Sequence, residues 1–197
     1  MKYFKLNPNV NSKKWRGCII PRDELIDDGG NVIPVDFLSL IKIPTNKKLF
    51  FKKLRDGYFS PISTIGAKYL LFDSKINRIN NISGNGVKLI PISDSEKPEK
   101  AYLIMYPFEC VDCVNWDLSE IDLWPSGYVP KEWESKRGRF FLKPAIHENK
   151  IPKHLDAFCL NEWDGAFNII ISERLKNKIL SLDFDHSFLE FYELVQT

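Results

Sequence analysis

Apolar runs of about 4–8 residues, each broken by turn residues, dominate this chain and constrain its fold more than any other feature. They are Lys2 to Leu6, Val32 to Leu40, Tyr69 to Phe72, Val87 to Ile92, Ala101 to Phe108, Phe140 to Leu142, Phe167 to Ile171 and Phe188 to Leu194. Each is rich in Ile, Val, Phe or Tyr, and Gly, Pro, Asn, Asp or Ser flanks it. Runs of that kind are strands. A helical period shows in two places. From Ser74 to Ile82, the residues Ile76, Ile79 and Ile82 fall three apart, and from Glu173 to Leu182, the residues Leu175, Ile179 and Leu182 fall at four and three. Asp73 and Ser172 stand immediately before these periods as N-caps. Helices this short depend on packing rather than on intrinsic propensity. The expected class is α+β: a mixed, mostly antiparallel sheet with few short helices.

The two helical places align with each other. Leu70-Leu71-Phe72-Asp73-Ser74-Lys75-Ile76 lies over Ile169-Ile170-Ile171-Ser172-Glu173-Arg174-Leu175. Each is an apolar strand, a cap and an amphipathic helix, then a polar turn and a second apolar strand. This predicts a repeated strand-helix-strand unit, each copy making a right-handed crossover. The polar connections 94–100 and 147–154 are too short to separate independent domains. The expected organisation is one domain over 1–197, with an N-terminal lobe over 1–64 and both units within 65–197.

Composition narrows the function classes. Of 197 residues, 44% are hydrophobic and 13% aromatic, which excludes a disordered tail. The net charge of +2 argues against a dedicated nucleic-acid binder, which carries a large basic excess. No run approaches the ~20 apolar residues of a membrane span, and charges interrupt the N-terminal segment where a signal-peptide core would lie. A cytoplasmic protein with no membrane partner is expected, its four cysteines reduced. The charges are segregated. Six bases and no acid lie between Lys42 and Arg55, and five acids and no base between Pro107 and Gly127. They read as two solvated faces, or as one face that steers a partner of opposite charge.

No motif carries recognisable chemistry, so no catalytic, cofactor or metal residue is assigned. Cys110-Val111-Asp112-Cys113 has redox or zinc spacing, but residues three apart on a strand point to opposite faces, and no second pair completes four zinc ligands. His147, His154 and His186 stand in no nucleophile or metal motif. Gly84-Asn85-Gly86 precedes a strand, where a phosphate loop would follow one, and Gly29-Gly30-Asn31 reads as a hairpin turn. The most unusual stretch is Trp124-Pro125-Ser126-Gly127-Tyr128-Val129-Pro130-Lys131-Glu132-Trp133. Large aromatics on a loop either cover the core or meet a partner, where they carry much contact area at small entropy cost. The partner-binding residues expected are Trp116, Asp117, Glu120, Asp122, Trp124, Tyr128 and Trp133, the acids forming a rim around aromatic anchors.

Two segments carry a family resemblance. One is Ala101 to Glu120, a Tyr-started apolar strand followed by Val111-Asp112 and an acidic-aromatic strand ending in Ser119-Glu120. The other is Ile169 to Lys176 with the closing strand Phe188 to Leu194; Leu70 to Ile92 has its counterpart as well. The chain from Ser60 to Val195 resembles bacterial immunity-protein family eleven of polymorphic toxin systems. That resemblance implies an antidote, not an enzyme: a protein that binds a cognate toxin stoichiometrically and occludes its active site. It transfers no functional residue, since Tyr102, Asp112, Trp116, Ser119, Glu120, Ser172 and Glu173 match as fold determinants. The alternatives are a non-inhibitory adaptor or chaperone of a secreted effector, and an enzyme using Cys159, His154 or the acidic cluster.

Overall fold

The computed structural model describes the chain apart from residues 36–42, 44–45, 67–68, 133 and 162–167. Part of the Val32 to Leu40 run, Lys42, Trp133 and Phe167 therefore lie outside the described residues. Among those described are sixteen strands and one α-helix: β1 (Tyr3–Pro8), β2 (Ile20–Asp27), β3 (Val32–Pro34), β4 (Leu49–Arg55), β5 (Ile62–Ile65), β6 (Tyr69–Asp73), β7 (Val87–Asp94), β8 (Ala101–Pro107), β9 (Cys110–Val111), β10 (Glu120–Asp122), β11 (Phe140–Lys143), β12 (Ala145–Ile146), β13 (Ala157–Leu160), β14 (Ile169–Ser172), α1 (Glu173–Leu180), β15 (Leu189–Glu193) and β16 (Val195–Gln196). They form a seven-stranded sheet of order β3-β2-β4-β7-β8-β6-β5 and a five-stranded sheet of order β15-β1-β14-β13-β9. The ribbons β10-β11 and β12-β16 complete the molecule. Pairing is antiparallel except for β4-β7, β9-β13 and β12-β16, so the class is mixed and mostly antiparallel, with little helix.

The inner strands β6, β13 and β14 are buried on both faces, and this explains their unbroken apolar runs. On β6, Leu70 and Phe72 point into the core between the sheets, while Tyr69 and Leu71 point into a second core on the far side of the seven-stranded sheet. On β14, Ile169 and Ile171 join the central core, and Ile170 joins a third core behind the five-stranded sheet. A strand with water on one face would alternate apolar and polar residues; these have water on neither. Fully burying one such side chain stabilises by about 1.5–3 kcal/mol.

The two helical predictions part company. Ser172 caps α1 as expected, its Oγ accepting from Leu175 N at 3.1 Å, and Leu175, Ile179 and Leu182 are buried. The segment 74–82 is corrected: it is a run of turns ending in a 3-10 turn, Ile79–Ile82, and not an α-helix. Asp73 Oδ1 still accepts from Lys75 N at 2.9 Å, but Arg78 adopts φ +60°, which breaks a right-handed helix. Spacing of three suits a 3-10 turn, in which i and i+3 eclipse, so Ile76, Ile79 and Ile82 are still buried together.

The first 64 residues are woven through both sheets. β1 lies between β14 and β15, and β2 to β4 extend the seven-stranded sheet beside β7. The basic stretch is tied down locally. Lys47 pairs with Asp27 at 2.5 Å, and the Lys53 ammonium, only 8% exposed, lies 2.8 Å from Glu96, 2.9 Å from Asp56 and 3.5 Å from the buried Asp94. Its partners come from its own sheet and not from the acidic segment 107–127.

A polar cluster joins the two sheets. Asp156, 2% exposed, receives Ser172 Oγ at 2.5 Å, Arg174 Nε at 2.7 Å and Asn85 Nδ2 at 3.0 Å. Its own N–H donates to Asn85 O at 2.6 Å. Burial pushes the Asp156 carboxyl up, but the hydrogen bonds from Arg174, Ser172 and Asn85 outweigh it and hold the carboxyl below the usual range. The Asn85-Gly86 turn before β7 is thereby pinned to β13 and to the start of α1. Gly86 has φ +99°, and a Cβ there would sit 2.2 Å from Ala157 O.

Candidate functional site

The ribbon β10-β11, the loop joining its strands and the turn that leads into it carry the expected partner-binding residues that the structure describes. Its root is fixed by Asn115. The side-chain Oδ1 of this buried residue accepts from Asp117 N at 3.1 Å and Leu118 N at 3.2 Å, an Asx turn. Its N–H donates to Ala145 O at 2.9 Å. Ser119 Oγ closes the turn, donating to Asn115 O at 2.6 Å and accepting from Ala145 N at 2.9 Å. The ribbon therefore leaves the body at a rigid corner.

Alternation along β11 then sorts the side chains. Phe141 is buried, with Ile121 of β10 directly opposite it. Phe140 and Leu142 point to the outer face, and Leu142 is 56% exposed. Gly138 must approach β10 closely, since a Cβ there would meet Ile121 Cγ2 at 2.5 Å. Arg139 N–H donates to Asp122 O at 2.7 Å just before β11 begins.

The expected residues take different stations. Trp116 is half-buried against Phe141, ring centroids 5.5 Å apart, and the Arg137 guanidinium lies 3.9 Å over its ring. It wedges the ribbon onto the body. Asp117 is exposed on the Asx turn. Glu120 pairs with Lys143 at 2.8 Å and Asp122 with Arg139 at 3.0 Å, so two of the three rim acids are matched within the ribbon. From Asp117 to Lys143 there are five acids and five bases, and the segment as a whole is balanced. Trp133 lies outside the described residues.

Trp124 and Tyr128 stack on each other in the connecting loop, centroids 4.7 Å apart and planes 23° apart. Trp124 Nε1 donates to Ser135 O at 2.8 Å. Tyr128 OH donates to Glu134 Oε2 at 2.8 Å, and Lys131 N donates to the same oxygen. The Lys131 N–H, aided by Tyr128, holds the Glu134 carboxyl below its ordinary value, while that carboxylate pushes the Tyr128 phenol up. The loop is thus braced by its own polar contacts. Sequence reasoning missed the apolar residues it leaves outward: Leu123, Val129 (83% exposed), Phe140 and Leu142. The signal for the last two was present as alternation about Phe141.

Elsewhere the CxxC pair and the histidines do not converge on a common site. Cys110 and Cys113 face different cores. His147 Nδ1 meets Thr197 Oγ1 at 3.0 Å, and His186 packs on Phe184 with the rings tilted by 58° and Nε2 near Ile179 O. Among the described residues, no cluster of three or more His, Cys, Asp or Glu has metal-holding geometry. A cleft of about 250 Å³ between Trp15, Cys18, Ile20 and Arg55 is open and largely apolar. No helix among the described residues is long and apolar enough to cross a membrane. No family model matches the chain, and no curated protein sequence matches it.

Proposed function

We propose that the protein is an immunity-type antidote that binds a cognate toxin through the β10-β11 ribbon and its loop, occluding the toxin's active site. One observation carries the reading: a braced ribbon that turns Phe140, Leu142, Leu123 and Val129 outward over a fixed root. Exposed apolar side chains on a rigid support lose little conformational freedom when covered, which favours tight association. The likeness of 60–195 to the immunity family supplies the partner class. On the same reading, β6 with β7 and β14 with β15 are two copies of one unit, supported by each pair flanking a single antiparallel strand, β8 or β1. Charge balance in the ribbon leaves a small role for steering, so affinity rests on the apolar anchors rather than on the acidic rim.

An antidote holds its toxin at nanomolar affinity or better, about −12 kcal/mol. Co-expression with the product of an adjacent toxin gene tests the assignment. Protection that is lost in Phe140→Asp and Leu142→Asp, with thermal stability kept, supports it. Trp124→Ala and Trp116→Ala are poorer probes, because both side chains brace the ribbon. Binding without protection points to an adaptor or chaperone, and protection unaffected by both outward substitutions removes the ribbon from the interface.

A further inference from the structure

The motif Cys110–Cys113 draws attention in the sequence, but the strand pairing gives Cys110 a different neighbour. β9 and β13 run parallel, with Cys159 directly opposite Cys110 and Leu160 opposite Val111. Cys159 N donates to Glu109 O at 2.8 Å and Asn161 N to Val111 O at 3.2 Å, which fixes the register on both sides. Paired strands lie about 4.8 Å apart, inside the roughly 4.4–6.8 Å that a disulfide spans between Cα atoms. Both side chains face the central core: Cys159 is buried within it at 5% exposure, and Cys110 packs at its rim, half-buried. Cys113 faces the core behind the five-stranded sheet and is fully buried. Burial pushes the phenols of Tyr69 and Tyr106 up, and Cys159 and Cys110 add to that rise.

We infer that Cys110 and Cys159 form a redox-active dithiol that takes low-molecular-weight disulfides of the glutathione class and closes to an intramolecular disulfide. The half-buried Cys110 thiolate attacks one sulfur of the reagent, forming a mixed disulfide and expelling one thiolate. The Cys159 thiolate then attacks Cys110 Sγ, and the second thiolate leaves. The two protein thiols lose two protons and two electrons, and the reagent disulfide is reduced to two thiols. The asymmetry of exposure sets the order, with an accessible nucleophile in front and a shielded resolving thiol behind. The segment between them carries the whole β10-β11 ribbon, so the crosslink closes a loop around the surface proposed for partner binding. The inference stands on the β9-β13 register and is independent of what the ribbon binds.

The experiment incubates the purified full chain with oxidised glutathione, followed by intact mass and peptide mapping. The expected product has lost two hydrogens, carries no glutathione, links the Cys110 and Cys159 peptides, and keeps Cys18 and Cys113 as thiols. Its Tm rises by roughly 5–10 °C through loop closure in the unfolded chain. Cys159→Ser should retain glutathione on Cys110, and Cys110→Ser should retain none. A wild-type chain that keeps four thiols, stops at the mixed disulfide, or links Cys110 to Cys113 overturns the inference. Because the wild-type map decides between these outcomes, the result does not depend on the variants folding.

Discussion

Ser172→Ala separates the cost of a helix cap from the cost of breaking the cluster that joins the sheets. As a cap alone, Ser172 is worth about 1 kcal/mol. The structure gives its hydroxyl a second task, since it also donates to the buried Asp156 carboxylate at 2.5 Å. A hydrogen bond to a charged group contributes about 1.5–3 kcal/mol. The low end applies here, because Arg174 Nε keeps hold of the same Oδ1 at 2.7 Å. The expected loss is therefore about 2.5 kcal/mol, the sum of the cap and the weaker hydrogen-bond value. With an m-value of about 2 kcal/mol/M for a chain of this size, the urea midpoint falls by roughly 1 M. In an Asp156→Asn background the same substitution should cost only about 1 kcal/mol, because the charged acceptor has gone. The pH dependence has a definite sign. The Asp156 carboxyl is depressed in the folded state, so its contribution is complete above the ordinary value of about 4 and is lost as pH falls through the folded pKa. The mutant's deficit should shrink over that range. A loss of 1 kcal/mol or less, equal in both backgrounds and constant with pH, refutes the reasoning.

Gly86→Ala should destabilise more than Ser172→Ala, by about 3 kcal/mol or more, because a positive φ combines with a Cβ 2.2 Å from the Ala157 carbonyl; chemical denaturation checks it. Gly84→Ala, also at positive φ but with open space around its Cβ, is the control and should cost less. Acid should weaken the fold through Asp27, held low by Lys47 and Asn31, and Asp185, brought to about 2 by Lys14 and Ser187. Both carboxyls are depressed, so urea midpoints should decline from about pH 4 downward, and Asp185→Asn should flatten the part nearest pH 2. Burial pushes the Cys113 thiol up to about 12, so Cys113 should resist aromatic disulfide reagents at neutral pH in the native protein and react only after unfolding. Rapid native labelling of Cys113 would contradict its placement in the third core.

The local elements of this protein were fixed by signals within a few residues of one another. Tyr69–Phe72 and Ile169–Ile171 are strands because short unbroken apolar runs suit a sheet buried on both faces. Ser172 caps a helix because its hydroxyl reaches Leu175 N, and Gly29-Gly30-Asn31 turns a hairpin between β2 and β3 with Asp27 accepting from Gly29 N and Asn31 N. The spacing of Ile76, Ile79 and Ile82 also fixed which side chains are buried, although it is a 3-10 spacing rather than an α-helical one. β2 and β4 are harder to see, because Arg22, Asp23 and Glu24, and Lys52 and Lys53, interrupt their apolar residues; Lys53 is accommodated by Asp94 of β7, Glu96 just after it and Asp56 just after β4. Long-range pairing belonged to the tertiary structure alone. Nothing near Tyr3 indicates that β1 will lie between β14 and β15, and nothing near Cys110 indicates that Cys159 will face it. The same holds for the aromatic ribbon: Trp116 points inward because Phe141 arrives from β11 and Arg137 from the turn before it, leaving Phe140 and Leu142 outward. Capping, turn chemistry and periodicity act over a few covalent bonds and are written in neighbouring residues. Strand order and the choice of outward face depend on the free energy of whole sheets closing over three shared cores, to which every distant residue contributes.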